Sequence, residues 1–410
     1  MPELNLSKVR AHFPALDKEW IFMDNAGGSQ TLKPIVDRIS EYYYTSDVQH
    51  GGSYEISQLS MDRVDAGTAF MAEYINAKHP SEIVMGGSTS LVLRILSISL
   101  GNTFNIGDEI IVSGCDHEAN VSPWMDLQGR GIKVKVWQVN PETWQFELDD
   151  LAKLMTDKTR LVSLTHTSNI LGTLNPVKEI AKFVHDRGAL ICVDGVAHAP
   201  HRLIDVQDTD VDFYAFSYYK VYGPHYAMLY GKQEHLFKIP GVNHYFIDGE
   251  NSPYKFQPGN VNFEFAYGML GLGDYLEDMY RAHFPNGSAS KREQMQAVFD
   301  LFADHEEKLA NRFLDFLNSR SDIRIIGLES GDKNKRVPTI AFAQGKRDSE
   351  EICLATDPHK IAIRFGDFYA KKLIQDMDLE EQNGVVRVSF VHYNTMEEVD
   401  KLIGVLEGVL

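Results

Sequence analysis

Two apolar runs in the chain end in groups that such runs do not ordinarily tolerate. VDFYAFSYYKVYGP (Val211–Pro224) passes from a strand-like stretch ending at Ser217 to Lys220, set among tyrosines before a Gly-Pro turn. In apolar surroundings the charged form of a lysine is disfavoured, its pKa falls, and a neutral nucleophilic amine becomes available. By composition alone, the same pattern is also met in a solvated surface lysine. ALICVDGVAHAPH (Ala189–His201) ends a second run in Asp194. An unpaired carboxylate there is costly, so it calls for a cationic or hydrogen-bonding partner such as a protonated ring nitrogen. A helix-capping aspartate is the plainer alternative.

Other chemistries find no support. The glycines of Gly268–Gly273 follow no strand of a βαβ unit, so they read as close helix packing rather than a dinucleotide site, and no P-loop occurs. The 15 histidines form no H-E-x-x-H or comparable metal pattern. Cys115, Cys192 and Cys353 make no CxxC pair and no even framework, which fits a reducing compartment. A formal net charge of −18 would repel nucleic acid or an anionic membrane. Helix ends and backbone amides can still hold a small anion against that field. The N-terminal stretch has no apolar signal core, and no run approaches the ~20 apolar residues of a membrane helix. The expected location is the cytoplasm.

The elements that must position these groups are legible in the middle of the chain. EIIVSG (109–114), KVKVWQV (133–139), TRLVSLTHT (159–167), ALICVDG (189–195), VDFYAFS (211–217) and AMLYG (227–231) read as strands. Helical stretches lie between several of them: one from about Ser122, DDLAKLMT, and PVKEIAKFVHDRG. Buried strands separated by helices predict a mainly parallel α/β sheet, with its chemistry in the loops beyond the strands' carboxyl ends. From about residue 276 the texture changes to a long helix, roughly Ser288–Arg320, then short strands and a last helix with Thr395 and Glu398 placed as a capping box. This predicts a smaller α+β domain. PNGSASKREQ (285–294) is the expected exposed connection.

From MDNAGG (23–28) to RVSFVHYNT (387–395), motifs in a fixed order give the chain its clearest likeness. It resembles the class V aminotransferase and cysteine desulfurase-like family of fold-type I pyridoxal 5′-phosphate (PLP) enzymes. The resemblance implies an aspartate aminotransferase-like α/β fold. A large domain over 20–280 would carry a mainly parallel, seven-stranded sheet, and 1–19 with 281–410 would form the smaller α+β domain. By motif, Lys220 in SYYKVYGP resembles the Schiff-base lysine and Asp194 in VDG the partner of the pyridine nitrogen. His117 in DHEANVSPW matches the histidine that stacks on the ring and relays protons, and Asn169 in HTSNILGT the contact to the ring hydroxyl. Ser88 and Thr89 in GGSTS match the phosphate turn at a helix start, with Ser217 and Tyr219 also reaching the phosphate. Arg387 in RVSF matches a clamp for the substrate carboxylate, and Arg364 in IRFGDFYAKK is a second expected substrate contact. Asn260 in PGNVN falls where the family places a phosphate contact from a second subunit, usually Thr, which implies a homodimer with shared sites.

The departures bear on the reaction. In IRFGDFYAKK, Arg364 and Gly366 are present, but Tyr369 stands where desulfurases of the family carry their cysteine. Cys353 and Cys115 read as packing residues, so the persulfide step lacks its nucleophile. Ala197 replaces the usual Gln or His three residues after the aspartate, with His198 next to it, and Tyr219 replaces the usual His before the lysine. The expected function is that of a PLP-dependent enzyme on an amino acid, a desulfurase-like lyase without the usual cysteine. An aminotransferase or epimerase on the same framework is the alternative, and a non-catalytic partner protein a further one.

Overall fold

A computed structural model describes residues 2–247 and 249–410. Its largest sheet comprises β2 (Ile83–Gly86), β3 (Glu109–Ser113), β4 (Lys133–Trp137), β5 (Thr159–Thr165), β6 (Leu190–Asp194), β7 (Phe213–Ser217) and β8 (Ala227–Gly231). Their order is β2-β8-β7-β6-β5-β3-β4. Only β8 runs against the others, pairing antiparallel with both β2 and β7. Strands β3 and β5 to β7 are buried almost throughout because helices cover both faces of the sheet. Six strands therefore end at one edge, and the segments after β2, β3, β5, β6 and β7 gather there.

A second, antiparallel sheet takes the order β12-β13-β10-β9, with β9 (Ile323–Ile326), β10 (Thr339–Gln344), β12 (Arg364–Gly366) and β13 (Val385–Ser389). The N-terminal part reaches into this region: β1 (Ile21–Phe22) pairs in parallel with β11 (Ile361–Ala362), and Asp24 bridges to Ser389. That register delivers residues 24–29 to the carboxyl edge of the large sheet.

The long helix spans Lys291–Asn318, shorter at both ends than the expected 288–320, because Ser290 and Glu293 form a capping box that fixes its start. The capping box at Thr395 and Glu398 is present. The helix expected from Ser122 extends only to Met125. It then tightens to 3₁₀ through Arg130 and stops at Gly131, whose φ of 82° no helix continues. Gly271 does serve close packing: a β-carbon there would lie 2.5 Å from the backbone nitrogen of Ile35. Among the described residues no helix is long and apolar enough to cross a membrane.

Candidate active site

Beyond β2, Ser88 caps the helix Thr89–Gly101, its Oγ accepting from the Leu91 amide at 3.2 Å. Thr89 Oγ1 lies 2.7 Å from Ser217 Oγ, so the end of β7 and the start of this helix meet through two hydroxyls. Tyr219 lines one cavity with them. Hydroxyls at a helix N-terminus suit an anionic group.

The same cavity is lined by Lys220, Asp194, His117, Asn169, Thr165 and Thr167. Lys220 is buried, and burial, helped by the positive charge of Arg387, lowers its amine pKa to about 7. Its Nζ donates to the carbonyl of Ala26. Its backbone is held from the same turn, since Ser29 Oγ donates to the carbonyls of Tyr219 (3.1 Å) and Lys220 (2.8 Å). Asp194 is buried at the end of β6, and its Oδ1 accepts from the Val196 amide at 2.8 Å. Burial raises its pKa to about 6. The nearby Lys220 ammonium opposes that shift, and a cationic ring nitrogen would oppose it further.

His117 is held neutral: burial, then the charges of Lys220 and Arg387, lower its pKa to about 4. Its Nδ1 accepts from the Ala119 amide at 3.0 Å, which leaves the ring proton on Nε2. Asp116, which the sequence reading passed over, also lines the cavity. It is buried, and its carboxyl accepts from Ser113 Oγ (2.9 Å), Asn120 Nδ2 (2.8 Å) and the His117 amide (2.9 Å). Burial and the neighbouring Asp194 push its pKa up.

Arg387 lies on β13 with its side chain buried. Nη2 donates to Asp24 Oδ1 at 2.8 Å and Nη1 to the carbonyl of Asn169 at 3.1 Å, while Nε is buried with no hydrogen bond. Burial lowers its pKa to about 10, which leaves it charged at neutral pH. Phe368 lies over the guanidinium, 3.7 Å from Cζ to the ring centre, and over Arg364 at 5.2 Å. Arg364 Nε approaches Asp24 Oδ2 at 3.4 Å. Asn169 Nδ2 donates to the Phe368 carbonyl at 2.9 Å, so the side chain expected at a ring hydroxyl holds the 366–370 loop here. Tyr369, two-thirds exposed, has its ring 5.2 Å from that of His117.

Two residues singled out in the sequence lie apart. Asn260 lines a separate cleft with Gln49 and Phe263, its Nδ2 donating to Gln49 Oε1 at 3.0 Å. His198 is absent from the cavity lining: it stacks on His166 with centroids 3.5 Å apart and its Nδ1 lies 3.2 Å from Thr167 Oγ1, while Ala197 faces the cavity. All three cysteines are unpaired and buried, and burial raises each thiol, Cys353 to about 12. Among the described residues no cluster could hold a metal ion.

A near-neutral buried amine, a buried carboxylate and a hydroxyl-lined helix start thus meet at one sheet edge. The model of the aminotransferase class-V family matches residues 21–402, and the chain belongs to that family. Its curated relatives include the aminotransferase-like protein FGM3 of Gibberella zeae, 40% identical over 99% of this chain and 98% of the relative. The cysteine desulfurase-like protein ustD of Aspergillus flavus is 32% identical over 99% of this chain and 91% of its own length. Among solved structures, apo cysteine desulfurase from Thermococcus onnurineus superposes with a TM-score of 0.86 at 26% identity, over 100% of this chain and 99% of the other. The protein is thus a PLP-dependent enzyme, and the groups lining its cavity are of the kinds that cofactor needs: Lys220 could offer the amine, Asp194 could face the pyridine nitrogen, and Ser88, Thr89 and Ser217 could receive the phosphate.

Proposed function

We propose that the enzyme acts on an amino acid through a Schiff base at Lys220, as a desulfurase-like lyase without a nucleophilic cysteine. The observation that carries this reading is the cavity itself, where Lys220, with its amine pKa lowered to about 7, shares one lining with Asp194 and His117. The bound cofactor supplies an electron sink that weakens the bonds at the substrate's α-carbon. Asp194 holds a proton on the ring nitrogen. Lys220, held against the 24–29 turn, would take and return a proton at the substrate's α-carbon. His117, neutral and protonated on Nε2, is suited to pass a proton to a leaving group. Arg387 would orient the substrate through its carboxylate.

The absence of a nucleophilic cysteine is supported by the burial of all three thiols and by Tyr369 on the 366–370 loop, where the family's desulfurases carry theirs. A homodimer is part of the proposal: Asn260 stands outside its own chain's Lys220 cavity, in a cleft of about 690 Å³, as a residue serving a second copy would. Unpaired cysteines agree with a cytoplasmic location. A small domain of residues 1–19 and 281–410 agrees with the separate antiparallel sheet.

The first test is the absorption spectrum of the purified protein. A visible band that borohydride removes, and that Lys220→Ala lacks, is the expected result. Protein that stays colourless with added PLP overturns the cofactor reading. A panel of β-substituted amino acids should then release pyruvate or another ketoacid. No release from any of them removes the lyase reading, and a pyridoxamine spectrum or deuterium uptake at the α-carbon identifies transamination or epimerisation instead.

A further inference from the structure

Among the described residues, Asp24 is the one carboxylate that Arg387 and Arg364 both address. Its Oδ1 accepts from Arg387 Nη2 at 2.8 Å, and its Oδ2 lies 3.4 Å from Arg364 Nε. It is fixed there by its own surroundings. The chain around it bridges to β13 through Ser389. The next residue, Asn25, is buried with its Nδ2 donating to the carbonyls of Phe22 (3.0 Å) and Ser389 (2.9 Å). Gly27 leaves room for the carboxylate to fold back, because a β-carbon at that position would lie 2.6 Å from Asp24 Oδ2.

Resting on the assignment of Arg387 as the substrate clamp, we propose that Asp24 is the positioning residue that presents Arg387 to the substrate carboxylate. Asp24, the Asn169 carbonyl and the Phe368 ring restrain the guanidinium from three sides. Each Nη spends one N–H on these contacts and keeps another for a further acceptor. The charge argument agrees. Arg387 and Arg364 without Asp24 would be two neighbouring cations, which repel one another and draw in water or salt anions. With Asp24 the trio carries a single positive charge, and one substrate carboxylate neutralises it.

The test compares L-alanine with L-alaninamide, which has the same amine and α-carbon but no carboxylate, each titrated into the holoenzyme and followed by absorbance. The wild-type enzyme should bind alanine the more tightly. In Asp24→Asn that preference should fall by about tenfold, the worth of one charge-assisted hydrogen bond, with alaninamide affinity little changed. Asp24→Glu should recover part of it. Gly27→Ala, which keeps the carboxylate but pushes it aside, should lower the preference as well, and it serves if Asp24→Asn does not fold. An undiminished preference in both variants overturns the proposal, and a preference that grows shows Asp24 to be a competitor of the substrate. A wild-type enzyme that does not distinguish the two ligands removes the Arg387 clamp itself, a separate failure.

Discussion

The rings of His117 and Tyr369 lie 5.2 Å apart, and the loop that carries Tyr369 is tied down beside them, its carbonyl accepting from the Glu118 amide at 2.8 Å. This loop holds its shape at a backbone cost. Phe368 and Tyr369 both adopt positive φ, 49° and 59°, where a β-carbon crowds the following carbonyl. Tyr369→Gly should therefore raise stability by about 1 kcal/mol in urea unfolding. A loss of stability would mean that the exposed ring contributes more through His117 than the left-handed backbone costs.

Capture of the cofactor should follow the state of the Lys220 amine. Only the neutral amine attacks a carbonyl, and burial lowers its pKa to about 7. The rate of absorbance change on adding PLP to apoenzyme should rise with pH and level off above a midpoint near 7. A rate still climbing at about pH 10, the ordinary lysine range, would show the amine to be exposed.

Thiol reagents provide a third check. Cys115, Cys192 and Cys353 are buried, and burial keeps their thiols protonated at neutral pH. Iodoacetamide should leave the native holoenzyme unmodified by mass and unimpaired in activity, whereas a chain unfolded in guanidinium should gain three adducts. Inactivation with one adduct on the native protein would reinstate a reactive cysteine.

Asp212 anchors the far end of the large sheet, where it accepts from His185 Nε2 (2.9 Å), His235 Nε2 (3.1 Å) and the Ile191 amide (2.9 Å), with Lys232 at 3.0 Å. Burial works against its charge, but the His185 and His235 hydrogen bonds, with the Ile191 amide and the Lys232 ammonium, together outweigh it and hold the carboxyl well below the usual range. The same bond raises the pKa of His185. The depressed carboxyl stabilises the fold above its unfolded value and loses that contribution as pH falls. The raised imidazole stabilises fully below its unfolded value and loses that as pH rises. The two overlap between about pH 4 and 6.5, where Asp212→Asn should cost about 3 kcal/mol in urea unfolding. The deficit should narrow by about pH 9, and one constant across that range would exclude the histidine coupling.

What the sequence made legible was local. Strands such as LICVD and FYAFS stand out because a strand covered on both faces must be apolar throughout. Lys220 and Asp194 were noticed because each interrupts such a run. Asp116 carries the same signal after EIIVSGC and could have been found by it, but the adjacent His117 drew the attention. The helix from Ser122 is legible at its start, but its end is set by Gly131, whose φ of 82° only the backbone reveals. The bond from Arg387 to Asp24 spans 363 positions of the chain, and neither neighbourhood announces the other. His198 beside Ala197 offered a replacement contact that the stacking on His166 directs elsewhere.

That long span bears on how the enzyme comes into being during synthesis. The cofactor cavity is lined by residues between Ser88 and Lys220, so its chain has left the ribosome long before β13 is translated. The turn that begins at Asp24 is made first and finds its arginine last. Until then the newborn protein has Lys220 and the residues that line its cavity, while Asp24 still lacks its partner on β13.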